Sequence, residues 1–474
     1  MRWLLLICIW AVVPPTGHGQ SIEDLIDRDQ AFDQASVGLS VRELKSGTEA
    51  ISYHSEKLLA PASSLKVITT LIAINHLGED YRYQTPISYS GKLDSDGTLH
   101  GDIIITGSGD PTLGSSRWGE ETSYTNMIAR VVQAVQAAGI TCIDGAVVAD
   151  PTIFAGQAVP DQWNYNDIGN YYGSGACGIN INENLYHLYF HSNTPQGQKA
   201  KLSHTTPAIK DMQLVGEVVV AGPNTGDQAY IYGTPDQELR IVRGTIPQSK
   251  SSFSIKGSMP SPPLQAAQLI ADALEKAGVQ VSEGYAVRKA TPSEELITIT
   301  SPTLTEIVEE ANHHSINLYC DALLRTLSAE AGGSGSINAG IATIIDHLAA
   351  MGLPSKEILL KDGSGLAGEN KVTARLMTLY LQNMQTKMGR KVLQYLPKAG
   401  KEGTVKRLLR GSEAAPYYFL KSGSFEGVQS YTGYVKAKSG KSYSICFMVN
   451  NYQVTYGAMR KKMEKILTTI YKQY

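Results

Sequence analysis

Three short patterns in this chain combine residue types able to carry out acyl transfer. The first is Ser63-x-x-Lys66, and no other S-x-x-K occurs. On a helix, residues three apart share a face. The Lys66 amine can then reach the Ser63 hydroxyl and take its proton, provided burial or a second cation has lowered the lysine's proton affinity. Pro61 and Ala62 precede Ser63, which predicts a helix start there. Unpaired backbone N–H groups and the positive dipole end at such a start steady an oxyanion. Taken alone, a capping serine beside a solvated lysine is the simpler reading.

The second pattern, S-x-N, occurs as Ser315-Ile316-Asn317 and as Ser336-Ile337-Asn338. The later copy ends the loop Gly332-Gly333-Ser334-Gly335 and reads as a helix N-cap. The earlier one interrupts two helical stretches, and such a break can aim a hydroxyl and an amide into a cleft. The third pattern, K-S-G, occurs at Lys45, Lys421 and Lys438. The first and last lie between strand-like runs, where Ser-Gly makes a hairpin turn. The Lys421-Ser422-Gly423-Ser424 copy continues a strand instead. There Gly423 is expected to let a substrate backbone lie close, while Lys421 and Ser422 offer charge and hydroxyl to a carboxylate. His313-His314 lacks metal-ligand spacing and no H-E-x-x-H exists, so no zinc and no other cofactor is assigned. The order of the three patterns weighs more than any one: helix start, helix break, edge strand.

The elements around them follow from periodicity. Ser36 to Leu44 and Glu49 to His54 read as strands joined by a turn. A helix follows Lys66 and stops at Gly78. From about Thr85 to about Gly284 short strands alternate with turns, interrupted by helices over 125–138 and 264–277. Four helices are then predicted over 304–311, 317–331, 338–351 and 374–384. Strands over 417–424, 431–437 and 443–450 come next, with a last helix from Met459 to about Thr469. The pattern predicts an α/β domain whose sheet takes strands from both chain ends, comprising 20–84 plus 285–474. The mainly β stretch 85–284 is inserted into it.

Composition narrows the class. The chain has 474 residues, with 42 Lys+Arg against 44 Asp+Glu. At about 150 residues per domain that length means about three domains, or one large domain with insertions. The charge balance leaves no basic excess to displace counterions, which excludes a nucleic-acid partner. Mean hydropathy of −0.15 excludes a polytopic membrane protein. Residues 1–19 combine Arg2, the apolar run Trp3 to Val13 and a small-residue ending, the form of an export signal. Export places the mature chain in a compartment where disulfides can form. Cys142 and Cys177 could pair, whereas Cys320 and Cys446 read as buried thiols; the sequence does not choose among pairings.

The chain resembles the penicillin-binding serine D,D-carboxypeptidases, in particular the exported D-alanyl-D-alanine carboxypeptidase/endopeptidase family of the penicillin-binding protein 4 (DacB) type, peptidase family S13. Ala62-Ser63-Ser64-Leu65-Lys66 is similar to its nucleophile box. Leu77 to Tyr83, Gly107 to Leu113, Asp362-Gly363-Ser364-Gly365-Leu366 and Tyr431 to Val435 are similar to its further signatures. The long gap between Ser63 and Ser315 also fits this group. The resemblance implies a β-lactamase/transpeptidase-like domain, an antiparallel sheet flanked by helices, with a large two-part insertion. It implies Ser63 as acylated nucleophile, Lys66 as proton acceptor and Ser315 as relay to the leaving amine. Asn317 would hold the substrate amide, Lys421 and Ser422 the terminal carboxylate, and the Ser63 and Ser424 N–H groups the oxyanion. Asp167 matches an acidic position that could meet the amine of a diamino acid. Where relatives often carry Ser-Arg after the Asp362–Leu366 signature, this chain has Ala367-Gly368. The implied partners are peptidoglycan stem peptides, with β-lactams as covalent inhibitors, in the periplasm. Peripheral membrane contact and oligomeric state stay open. The rivals are a serine β-lactamase and a catalytically dead wall-binding or β-lactam-sensing module.

Overall fold

The computed structural model describes residues 21–191, 194–248 and 252–474. The expected export signal lies outside them.

The chain's two ends build one five-stranded antiparallel sheet. Its order is Glu49–Tyr53, Ser36–Glu43, Ser442–Asn450, Val428–Lys436, Tyr418–Phe425. The central strand explains its own sequence. Cys446 and Met448 pack toward the helices Lys66–Leu77, Asn317–Glu330 and Ala374–Met388, while Ile445, Phe447 and Val449 pack toward the helix Tyr456–Gln473. With both faces covered, an alternating strand pattern becomes a continuous apolar run. Tyr418–Phe425 is the edge strand, which leaves alternate backbone groups unpaired.

The K-S-G and S-x-N copies read as turns and a cap are those things. Lys45-Ser46-Gly47 and Lys438-Ser439-Gly440 lie in turns between strands. Ser336 caps the helix Ile337–Ala350 by accepting the Ala339 N–H at 3.2 Å.

The middle of the chain forms smaller sheets. One has the order Tyr285–Val287, Val147–Asp150, Ile103–Thr106, Gln84–Tyr89, Glu294–Thr300. Two three-stranded sheets use only strands between Leu185 and Ser258. In the five-stranded sheet of this region, Glu294–Thr300 pairs antiparallel with Gln84–Tyr89.

Ties between the middle segment and the helices are polar and buried. Arg325, 1% exposed, donates to the carbonyls of Ala155, Gln157, Ala176 and Gly335 at 2.7–3.0 Å. The four cysteines among the described residues are free thiols; Cys142 and Cys177 do not pair, and Cys320 and Cys446 are buried as expected. No helix among the described residues is long and apolar enough to cross a membrane.

Candidate active site

Ser63 sits in a 3₁₀ turn, Ala62–Leu65, which runs directly into the helix beginning at Lys66. At three residues per turn, positions i and i+3 eclipse one another. This brings Lys66 Nζ to 3.1 Å from Ser63 Oγ. The turn is strained and tightly held. Ala62 has a φ of 47°, a left-handed value that costs a residue with a Cβ free energy. Ser430 Oγ donates to the Pro61 carbonyl at 2.6 Å.

Lys66 is fully buried. Its amine also donates to Asn317 Oδ1 and to the Ser364 carbonyl, both at 2.6 Å. These two acceptors can only receive. They occupy two of the nitrogen's hydrogens and leave its remaining position facing Ser63. Burial pushes the Lys66 pKa below the ordinary lysine value, opposed by the charges of Asp321 and Asp362.

Ser315 terminates the helix Leu304–His314 in a left-handed conformation, φ 60°. Asn317 opens the next helix, Asn317–Glu330. The break therefore turns Ser315 and Asn317 toward the same side. Asn317 is used at both ends: Oδ1 by Lys66, and Nδ2 by the Tyr172 carbonyl of the middle segment at 2.7 Å. One N–H of the side-chain amide remains for a ligand.

Lys421 is fully buried as well, and its amine donates to Ser315 Oγ at 2.9 Å and to the Ser422 carbonyl at 2.6 Å. Burial first, then repulsion from Lys66, hold its pKa well below the ordinary lysine value. Lys421 lies behind the cleft wall, and the groups on that wall are Ser422 and Thr404, joined by a Ser422 Oγ–Thr404 Oγ1 hydrogen bond of 2.7 Å.

Gly423 allows a close approach within the fold. A Cβ there would lie 2.5 Å from the Pro61 carbonyl oxygen and 2.6 Å from the Ser64 nitrogen. The missing side chain lets the strand lie against the turn that carries Ser63. Gly365 does the same from the other side, where a Cβ would stand 2.0 Å from the Ala62 carbonyl oxygen.

The cleft has a volume of 870 Å³. Ser63, Ser315, Asn317, Ser422 and Ser424 line it, with Asp167, Tyr171, Tyr172 and Tyr230 forming a wall from the middle segment. Asp167 lies on the short helix Tyr165–Ile168 and accepts from Asn164 Nδ2 at 3.3 Å. Ser63, Asp167, Ser315, Asn317, Ser422 and Ser424 thus line one crevice, with Lys66 and Lys421 buried behind it and bonded to Ser63 and Ser315.

Two supports were given no role in the sequence reading, although Asp362 opens one of the family signatures. Asp362 is fully buried and accepts from the N–H groups of Ser364, Gly365 and Ala367 and from Asn370 Nδ2, at 2.7–3.2 Å. Trp163 Nε1 of the middle segment donates to the same carboxylate at 2.8 Å. This network fixes the loop whose Ser364 carbonyl holds Lys66. Thr404 was the other omission; it stands in Gly403-Thr404-Val405, which matches no motif.

A family model described as the D-Ala-D-Ala carboxypeptidase 3 (S13) family matches residues 19–471. A D-alanyl-D-alanine carboxypeptidase from Actinomadura sp. (strain R39) is 26% identical over 446 residues, covering 90% of this chain and 80% of that relative. D-alanyl-D-alanine carboxypeptidase DacB of Haemophilus influenzae is 22% identical, covering 92% and 90%. The crystal structure of penicillin binding protein 4 (dacB) from Haemophilus influenzae superposes with a TM-score of 0.81 at 20% identity, over 95% of this chain and 99% of that one.

Proposed function

The chain belongs to the D-Ala-D-Ala carboxypeptidase 3 (S13) family, and from that premise we propose how its residues share the work. The protein is a penicillin-binding serine D-alanyl-D-alanine carboxypeptidase and D,D-endopeptidase. Ser63 attacks the penultimate D-Ala carbonyl of a peptidoglycan stem peptide, passing its proton to the amine of Lys66. The tetrahedral oxyanion rests on the backbone N–H groups of Ser63 and Ser424. The proton then passes from Lys66 by way of the Ser315 hydroxyl, which takes one proton as it gives its own to the leaving amine, and D-Ala departs. Water then takes the acyl group from Ser63. Cutting a cross-link is the same chemistry with a longer leaving group.

The observation that carries this reading is the three-way environment of Lys66 Nζ. Two fixed acceptors and a lowered proton affinity make an amine whose open position faces the nucleophile.

For substrate binding, Ser422 and Thr404 hold the terminal carboxylate in the field of Lys421, and Gly423 keeps their strand seated on the nucleophile turn. The free Asn317 N–H holds the substrate amide. The middle segment, taken as residues 84–300, walls the cleft, and Asp167 meets the free amine of a diamino acid. A β-lactam acylates Ser63 and persists. The protein works after export, in the periplasm, where its substrate lies.

The test is labelled penicillin with Ser63→Ala, together with release of D-Ala from a stem-peptide analogue. Loss of both label and D-Ala is expected. Label that persists on Ser63→Ala removes the assignment, and a penicilloyl adduct that hydrolyses within seconds makes the protein a β-lactamase.

A further inference from the structure

The reacting groups do not mark the end of the cleft. A second hollow, of 610 Å³, adjoins it and shares Ser424, Phe425, Glu426 and Tyr456 with it. The sheet explains where this hollow lies. The edge strand Tyr418–Phe425 turns back through Glu426-Gly427 into Val428–Lys436. Phe425 pairs with Val428, and Val428 with Asn450. That turn therefore stands beside the point where the chain leaves the strand Ser442–Asn450. Asn451, in a left-handed conformation with φ 62°, follows the strand's last residue. The hollow opens between the turn and residues 451–454.

Direction follows from the positions already assigned. With the terminal carboxylate at Ser422 and the reacting carbonyl at the Ser424 N–H, a bound peptide runs antiparallel to Tyr418–Phe425, along its open edge. The residues before the reacting carbonyl then head for Phe425 and Glu426, into the hollow. Edge pairing stops there because the strand stops at Phe425. From that point the backbone groups of a peptide need side-chain partners. The amides of Asn451 and Gln453 are exposed and make no hydrogen bond among the described residues. Val454 and Tyr456 are 37% and 45% exposed and offer apolar surface. The volume corresponds to a box about 8 Å on a side, close to the span of two extended residues, about 7 Å. Among the described residues Glu426 is the one charged side chain on the lining, so an amide is accommodated better there than a free carboxylate.

We propose that this hollow is a subsite for the two stem-peptide residues that precede the diamino acid. Their backbone is held by the amides of Asn451 and Gln453 and rests on Val454 and Tyr456. The diamino acid itself occupies the junction, where Phe425 and Glu426 belong to both spaces. This rests on the reading of the cleft as the acyl-transfer site. Asn451, Gln453 and Val454 line the hollow and not the catalytic cleft. They engage a part of the substrate remote from the bond that breaks, and such binding energy can appear in kcat as well as in KM. The quantity that reads it is therefore kcat/KM.

D-Ala release is compared for two substrates. One is an N-acetylated tripeptide, the diamino acid followed by D-Ala-D-Ala. The other is the corresponding pentapeptide, with a carboxamide in place of the free carboxylate on its second residue. For the wild type, kcat/KM should be about tenfold higher for the pentapeptide. In the double variant Asn451→Gly, Gln453→Ala that ratio should fall to about twofold or less. Glycine is used at 451 because it accepts a φ of 62° without strain. Equal turnover of the two substrates by the wild type, or a ratio that the double variant leaves at its wild-type value, overturns the proposal. If the double variant does not fold, Gln453→Ala alone, which alters one exposed side chain, carries the same comparison. Ser63→Ala with labelled penicillin separates the two readings. Label retained there sinks the acyl-serine assignment, whereas label lost there with the substrate ratio unmoved in the double variant sinks only the subsite.

Discussion

Gly423→Ala tests the contact on which the cleft is built. The new Cβ would stand 2.5 Å from the Pro61 carbonyl oxygen, 2.6 Å from the Ser64 nitrogen and 2.6 Å from Ser430 Oγ. Ordinary contact begins at 3.4 Å, so the strand and turn must part by about 1 Å. Two of the three atoms are backbone and cannot rotate away. The turn cannot retreat easily, because Gly365 already packs onto the Ala62 carbonyl and Ser430 holds Pro61. The strand Tyr418–Phe425 therefore moves, carrying Lys421 and Ser424 with it. Overpacking of this kind costs about 1–3 kcal/mol, and a displacement of about 1 Å between nucleophile and oxyanion donors costs about 100-fold in rate. Stopped-flow acylation by labelled penicillin and thermal unfolding read the two effects. A variant that melts like the wild type and acylates within about threefold refutes the packing argument. One that melts normally but shows a raised KM with kcat intact returns Gly423 to the role of admitting substrate backbone.

Trp163→Phe removes one of the five donors to Asp362; denaturant unfolding should show a loss of about 1–3 kcal/mol, and acylation should slow as the loop carrying Ser364 loosens. Asp167→Asn should raise KM about tenfold for a stem peptide with a free side-chain amine, leaving the rate of penicillin acylation unchanged; an equal loss on both substrates would exclude side-chain recognition. Because Lys66 must be an amine to accept a proton and its pKa is lowered, acylation should operate below the ordinary lysine range. It should fall on acidification as Lys66 becomes an ammonium. A rate independent of pH on the acid side would exclude Lys66 as the base.

Much of the local organisation is written in the chain. The helix after Lys66 and its stop at Gly78 are as read, and so are the three C-terminal strands to within a few residues. Repeated motifs were sorted by context alone: the copies at Lys45, Lys438 and Ser336 lie where turn and cap residues have obvious work. Covalent geometry makes these features local, since side-chain alternation and helical spacing are properties of neighbouring residues. The family signatures extended this to the cleft, because Ser63, Ser315 and Lys421 fall in short motifs.

What the chain does not disclose depends on which distant atoms meet. That Gly423 faces Pro61, that Lys421 hides behind Ser422, and that Trp163 holds Asp362 are outcomes of packing between segments hundreds of residues apart. So is the pairing of Glu294–Thr300 with Gln84–Tyr89. Pairing needs a partner strand, and nothing local names it. The same is true of Asp321, an unremarkable acidic residue on an apolar helix until the fold buries it and pairs its Oδ1 with the Gly363 N–H. Residue type and spacing supplied the reactive groups; desolvation and non-local contact decided their charge and their aim.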